Sequence, residues 1–317
     1  MRAERLQNGQ EYLRQYGAVA VLILLIVVNS LVTPNFFAVG TLWNVLLQSF
    51  PVILISMGMT LVIATGGIDI SVGATMALSS IVLAKLLIHM ETSFPVAMLA
   101  AMGAAALFGL FNGILIGVFR FQPIVATLIL MISGRGIAQL FNNGVVISFY
   151  GNQYTELGVY RIGGVLPIQV VLILAVLALM LFVTYKTSFG RYVQAVGDNR
   201  SASNLSGVNT VLVLIAVYVL CALLTGFASC IETLRICSAD PNNIGDGIEL
   251  DCVAAVAVGG TSMAGGRARM MGTLAGALVM QLITTMVNMN NVAYAYSLVI
   301  KSAIIVLALY LQKKKSN

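Results

Sequence analysis

Apolar runs of about 16–25 residues, separated by short clusters of glycine and polar residues, recur from about residue 17 to residue 311. No other feature limits the possible folds so much. A helix needs about 20 apolar residues to cross the hydrocarbon core of a bilayer. Only helices and closed barrels satisfy their backbone polar groups there, and runs of this length suit helices. Composition agrees: 59% of residues are hydrophobic, 9% are charged, and the mean hydropathy is +0.98. Ordinary soluble domains carry about 25% charged residues. The expected fold class is all-α: a polytopic membrane protein with about ten transmembrane helices, at least one of them broken or re-entrant. Residues 1–317 are expected to form a single transmembrane domain, with no room for a separate soluble one.

The runs place spans at about 17–32, 43–63, 71–88, 95–119, 124–141, 165–184, 208–232, 250–260, 271–288 and 293–311. The eighth is short. Residues 1–16 are charged and polar and read as a cytoplasmic start to an uncleaved first span. The run is too long for a signal-peptide core, and no small-residue cleavage site follows it. With both termini cytoplasmic, the inner segments hold Arg2, Arg5, Arg14, Arg120, Lys186, Arg191, Arg200, Arg267, Arg269, Lys313, Lys314 and Lys315. The outer loops hold Arg161 and Arg235, while Lys85, Arg135 and Lys301 fall inside spans. Basic residues mark cytoplasmic loops, so the reverse topology is rejected. The net charge of +6 is read the same way. It points to membrane lipid as a partner, not to nucleic acid.

Several polar groups interrupt the spans. The stretch "ATGGIDISVGATMALSS" (64–80) puts Gly66, Gly67, Asp69 and Ser71 between two apolar runs. A carboxylate is costly against lipid. At the cytoplasmic end of a span, Asp69 or Ser71 can instead cap the next helix, where negative charge meets the helix dipole. Irregular backbone at membrane depth must be buried in protein or line a cavity, so a gate, substrate contact and ion coupling all stay open for this break. Arg135 lies about 16 Å into its span, near the bilayer centre, where arginine costs about 2.5–3.5 kcal/mol. It either anchors the fold through an ion pair or carbonyls, or lines a pathway. Lys85 can snorkel to the interface, and Lys301 is a candidate partner for a buried acid. Gly109, Gly113 and Gly117 share one helix face that admits a close neighbour. Asn112 beside them either bonds across helices or touches a hydroxylated substrate. His89, the only histidine, reads as interfacial. Cys221, Cys230, Cys237 and Cys252 suit free buried thiols, with a Cys237–Cys252 disulfide as the alternative.

Two loops are longer than tight bundles need, an outer one at about 142–164 and an inner one at about 185–207. Such loops are often functional. Gly190 and Gly197 punctuate the inner loop, and Asp198 is the expected N-cap of a short helix over 199–205 that begins at Asn199. Gly207 closes it, and Ala202, Ser203 and Ser206 leave a slim surface. This helix is either a solvated connector or a segment that docks into another protein.

Four stretches carry a family resemblance. "QAVGDNRSASNLSGVNT" (194–210) resembles the cytoplasmic coupling segment of ribose/xylose/galactose-class permeases of ATP-binding-cassette (ABC) importers. "GMTLVIATGGIDISVGA", "QPIVATLILMISGRGIAQL" and "IELDCVAAVAVGGTSMAGGR" are similar to three further signatures of that class, in the same order. "LILMISGRGIAQL" and "SADPNNIGDGIELD" look most like galactofuranose permeases. The chain departs from the pattern at Asp198, where glycine is frequent, and at Ser201 and Ser203, where alanines are usual. "MAGGRARMMGT" is also more basic than the class. The resemblance implies a type II importer-like fold in the bacterial inner membrane and import of a pentose or hexose. It also implies an ATPase partner, tandem-domain in form, a second permease copy or paralogue, and an extracytoplasmic sugar-binding protein. ATP-Mg is then expected on the ATPase, because this chain has no G-x-x-x-x-G-K-[ST] motif and binds no cofactor itself. The competing reading is an ion-coupled secondary transporter using Asp69, Arg135 and Lys301. An enzyme is disfavoured, since His and carboxylate clusters are missing. The stretch 258–277 resembles 64–80 in layout, which is taken as local loop chemistry rather than an inverted repeat.

Overall fold

The computed structural model describes residues 2–150 and 154–312. Residues 151–153 of the expected outer loop and Lys313, Lys314 and Lys315 lie outside them. In chain order the elements are α1 (Arg2–Val32), α2 (Val39–Ala64) and α3 (Val72–Ala84), which continues as a π-helical turn (Lys85–His89). Then come α4 (Phe94–Gly117), α5 (Pro123–Phe141), β1 (Ile147–Ser148), α6 (Thr155–Gly158), β2 (Arg161–Ile162) and β3 (Leu166–Pro167). They are followed by α7 (Ile168–Lys186), α8 (Ser188–Asp198), α9 (Arg200–Leu205), α10 (Thr210–Ile236) and β4 (Ser238–Ala239). The chain ends with α11 (Ile248–Val258), α12 (Met270–Met289) and α13 (Tyr294–Gln312). The fold is all-α, as expected. Its strands are two-residue pairs, β1 antiparallel to β4 and β2 to β3.

Among the described residues, seven helices are long and apolar enough to cross a membrane: α2, α3 with its π turn, α4, α5, α7, α10 and α12. Shorter apolar stretches lie in α1 (Gly17–Val32) and α13 (Ala295–Val306). The eighth span, expected to be short, is α11. α11 has 11 residues and rises about 16 Å, roughly half of a bilayer core. The loop before it makes the rest of the passage. The polar start of the chain continues α1 without a break.

α2 forms the centre. Every residue from Ser49 to Ala64 is buried, as befits a helix that is apolar all round. Pro51 sits inside it and removes the N–H that would bond the Leu47 carbonyl. α4 and α5 each open with proline in the first turn, where its missing N–H has no intrahelical partner to lose. α4 meets α10 along the glycine seam. A Cβ on Gly109 would lie 2.6 Å from the Tyr218 carbonyl, and one on Gly113 would lie 2.7 Å from Ile215 Cα. Hydroxyls join other helices: Thr60 and Thr273 are 2.7 Å apart, and Ser229 donates to the Met76 carbonyl at 2.6 Å. All four cysteines are free and buried, so the Cys237–Cys252 alternative is set aside. Lys85 donates to the Phe141 carbonyl at 2.6 Å, covering the last turn of α5, and His89 is exposed.

The bundle has two unlike ends. One holds the breaks 65–71 and 259–269, the turn 118–122 and the α8–α9 segment. The other holds the β pairs, α6 and the turns before α2, α4 and α13. Because α4 and α10 touch backbone to backbone, Gly113→Leu is expected to cost at least the roughly 1–3 kcal/mol of core overpacking. Its thermal midpoint in detergent should fall, while Gly103→Leu, where a side chain meets open space, should leave it unchanged.

Candidate functional site

α2 ends in a glycine cap. Gly66 has φ +83°, the Gly66 N–H bonds the Ile63 carbonyl at 2.9 Å and the Gly67 N–H bonds the Val62 carbonyl at 3.1 Å. This pair is the Schellman motif. The chain then turns inward. Asp69 is 2% exposed. Its Oδ1 accepts from the Ser71 N–H at 2.9 Å and from Ser71 Oγ at 2.6 Å. The expected helix cap is therefore corrected, because no side chain caps α3. Asp69 instead closes a turn on the residue just before it. Asn112 of α4 donates to Ser71 Oγ at 2.9 Å, and Thr127 of α5 donates to the Ile68 carbonyl at 3.3 Å. The Tyr218 hydroxyl sits against Gly67, 2.5 Å from where a Cβ would be. Asp69, Ser71 and Asn112 thus form one buried network that holds the break between α3, α4, α5 and α10.

The break between α11 and α12 is held from α7. The Tyr185 hydroxyl donates to the Ala268 carbonyl at 3.0 Å and accepts from the Met270 N–H at 3.2 Å. Thr261 Oγ1 accepts from the Arg269 N–H at 3.1 Å. The two breaks then meet. The Gly266 N–H donates to the carbonyl of Ala64, the last residue of α2, at 2.9 Å. Gly197 of α8 lies directly on that bond, against the Ala64 carbonyl and the Gly266 N–H. A Cβ on Gly265 would be 2.8 Å from the Gly197 carbonyl, and one on Gly266 would be 2.6 Å from Asp198 Oδ1. The layout shared by 64–80 and 258–277 therefore has a structural consequence, since the two glycine breaks are direct neighbours.

The inner segment differs from expectation in three respects. Residues 188–198 are not a punctuated loop but the helix α8, capped by Thr187 Oγ1 accepting from the Gly190 N–H at 3.4 Å. Its buried face is Gly190, Val193 and Val196, spaced to share one side, and Gly190 packs on the Thr184 backbone. Asp198 ends α8, and Asn199 is the cap of α9, its Oδ1 accepting from the Ala202 N–H at 2.9 Å. An acceptor at 198 or 199 reads alike in sequence; the helix on the N-terminal side decides between them. Ser203 faces inward, while Ala202, Ser206 and Gly207 are exposed. Gly207, at φ +85°, ends α9 as expected. Leu205, an apolar residue in a polar stretch, is 89% exposed. Arg200 donates to the Gly117 carbonyl at 2.9 Å, tying α9 to the end of α4.

From the other end, residues 237–247 descend into the bundle. Arg135 Nη1 donates to the carbonyls of Ile244 at 2.7 Å and Pro241 at 3.3 Å. Of the two readings open for Arg135, these bonds match the carbonyl anchor. Asn242 donates to the Gly144 carbonyl at 2.9 Å and accepts from Gln139 at 3.0 Å. The Asp240 carboxylate accepts from the Asn242 N–H at 2.8 Å, the Asn243 N–H at 3.2 Å and the Asn243 side chain at 2.7 Å. The loop reaches the first turn of α3, where Gly73 lies against the Gly245 carbonyl and Glu249. Lys301 pairs with Asp251 of α11, at 2.9 Å to Oδ1 and 2.8 Å to Oδ2. Lys301 therefore has an acid partner, as expected, but a half-buried one. No sequence signal marks Asp251, because an acid near the start of an apolar stretch gives no sign of which helix will face it.

Comparison with known proteins agrees with this architecture. The family profile described as "Branched-chain amino acid transport system / permease component" matches residues 41–309. The chain is 38% identical over 304 residues to the galactofuranose transporter permease protein YtfT of Escherichia coli (strain K12), covering 93% of this chain and 88% of that one. It is 37% identical to the ribose import permease protein RbsC of the same strain, over 96% of this chain and 94% of that one. It is 36% identical to RbsC of Bacillus subtilis (strain 168) across the whole of both. No solved structure matches.

Two substitutions test the geometry. Gly197→Val puts a branched side chain onto the Ala64–Gly266 bond. It should cost at least about 1–3 kcal/mol and lower the thermal midpoint, whereas Ser201→Val on the exposed face should not. Arg135→Met leaves two buried carbonyls without their charged donor, a loss of about 1.5–3 kcal/mol. Faster proteolysis within 237–247 is the expected readout.

Proposed function

The chain belongs to the permease family of branched-chain amino acid transport systems, and from that premise we propose that it is the membrane-spanning subunit of an ABC importer moving a monosaccharide into the cytoplasm. The named functions of its relatives support a pentose or hexose, with galactofuranose and ribose as the first candidates. The observation that carries the mechanism is the seat of Gly197. α8 and α9 form a surface element, and its inner face rests on the one point where both broken helices meet. A partner ATPase that docks on the exposed Ala202, Leu205, Ser206 and Gly207 would displace α8. Gly197 and Asp198 would then carry that displacement to Ala64 and Gly266. The buried network at Asp69 would hold the break as one unit while it moves.

The remaining parts of the complex follow from the same reading. ATP-Mg belongs to the ATPase, two permease subunits enclose the path, and an extracytoplasmic binding protein delivers the sugar. The whole of 1–317 then acts as one permease domain. Arg120, Lys186, Arg191, Arg200, Arg267 and Arg269 lie at the α8–α9 end, against Arg161 and Arg235 at the other. The basic excess favours a cytoplasmic α8–α9 end in a bacterial inner membrane.

Proteoliposomes provide the test. Uptake should require ATP together with the cognate ATPase and binding protein. Uptake by this chain alone under a proton or sodium gradient would overturn the proposal in favour of an ion-coupled carrier. Leu205→Asp should leave the chain folded but lower coupled uptake by roughly tenfold, the worth of one interface anchor.

A further inference from the structure

A cavity of about 690 Å³ lies between α2, α10, α11 and α13. Sites for small ligands are typically about 300–1,000 Å³. Resting on the sugar-import reading, we propose that this cavity is a monosaccharide-binding site on the far side of the helix breaks. One wall is apolar: Pro51 and Val52 of α2, Met76 of α3, and Leu298 and Ile305 of α13. The other is polar: Asn243, Asp246, Asp251, Lys301 and Ser302. A sugar ring has the same two-sided chemistry, with C–H faces and a rim of hydroxyls that both donate and accept.

The charges select within that class. Glu232 also lines the cavity, but its carboxylate is taken by Arg235 at 2.6 and 2.8 Å. Asp251 is paired with Lys301. Asp246 is exposed and has no ion pair among the described residues. The cavity therefore keeps a net negative charge, which repels phosphorylated sugars and admits neutral ones. An ammonium has three N–H donors. Lys301 spends two on Asp251, so one remains for a hydroxyl, and the two Asp251 oxygens can accept from another.

The position also fits. The mouth lies beside the exposed Asn243 and Asp246. The base is Gly245 and Met76, next to Gly73 and the loop that Arg135 anchors. A ligand here is one re-entrant loop away from the first turn of α3 and the Asp69 network behind it.

Because all four native cysteines are buried, a thiol at the exposed Ser302 should react alone with a water-soluble maleimide. The Ser302→Cys permease is assembled with its ATPase and binding protein in liposomes. Ribose, xylose and galactose are each added at saturating concentration, with ribose 5-phosphate as the anionic comparison. The sugar that the wild-type complex takes up should slow labelling several-fold, the phosphate should not, and a thiol at the exposed Met90 should be indifferent to both. Asp246→Asn, on the surface and safe for folding, should lower uptake by about tenfold, the loss of one hydrogen bond to a charged group, with ATP hydrolysis retained. ATP-driven uptake without protection at Ser302, or with uptake unchanged in Asp246→Asn, would overturn this site and leave the importer reading standing. A wild-type complex that takes up no sugar would overturn both.

Discussion

A single backbone hydrogen bond, from the Gly266 N–H to the Ala64 carbonyl, organises this protein. A helix end leaves carbonyls without intrahelical partners, and inside a membrane protein such groups must be satisfied by other protein groups. α2 satisfies its end partly with its own glycine cap and partly by borrowing an N–H from the break before α12. Two helix ends are thereby fixed to each other. The absence of side chains at Gly66, Gly197, Gly265 and Gly266 lets a third backbone, that of α8, rest on the same spot. Coupling between distant sites requires an element with two arrangements that both sites can bias. Here the surface segment and both breaks share one contact.

The charged groups in the bundle follow a consistent logic. A charge removed from water must be paired or hydrogen-bonded. Asp69 turns onto Ser71, Arg135 grips two carbonyls, Lys85 takes the end of α5, and Lys301 takes Asp251. The Asp69 and Arg135 bonds hold irregular backbone in place, Lys85 covers a helix end, and Lys301 joins two helices. α11 can be half a span because the loop leading to it is clamped by Arg135 and packed against Gly73.

Much of this was legible in the chain itself. The nine longer spans lie close to their apolar runs, because bilayer thickness sets a length that composition alone reveals. The glycine seam of α4 and the inward use of Arg135 also follow from periodicity and from the cost of placing charge against lipid. α8 was hidden, because Gly190 and Gly197 read as punctuation unless one knows that a neighbouring backbone lies against each. Asp198 and Asn199 offer the same acceptor chemistry, and only the extent of α8 shows that Asn199 is the cap. Tyr185 and Leu205 gave no signal beyond an aromatic at a span end and an apolar residue in a polar loop.

By itself the sequence determined the class, the number and order of the apolar helices, and the membership of the family, since each rests on hydrophobic length or on contiguous motifs. Only the tertiary structure decided that residues 64–67, 197–198 and 265–266 share one point, that Lys301 faces Asp251, and that α11 stops halfway. These are contacts between segments far apart in the chain. They depend on how closely backbones approach, and close approach is recorded in sequence only as glycines that have many other possible uses.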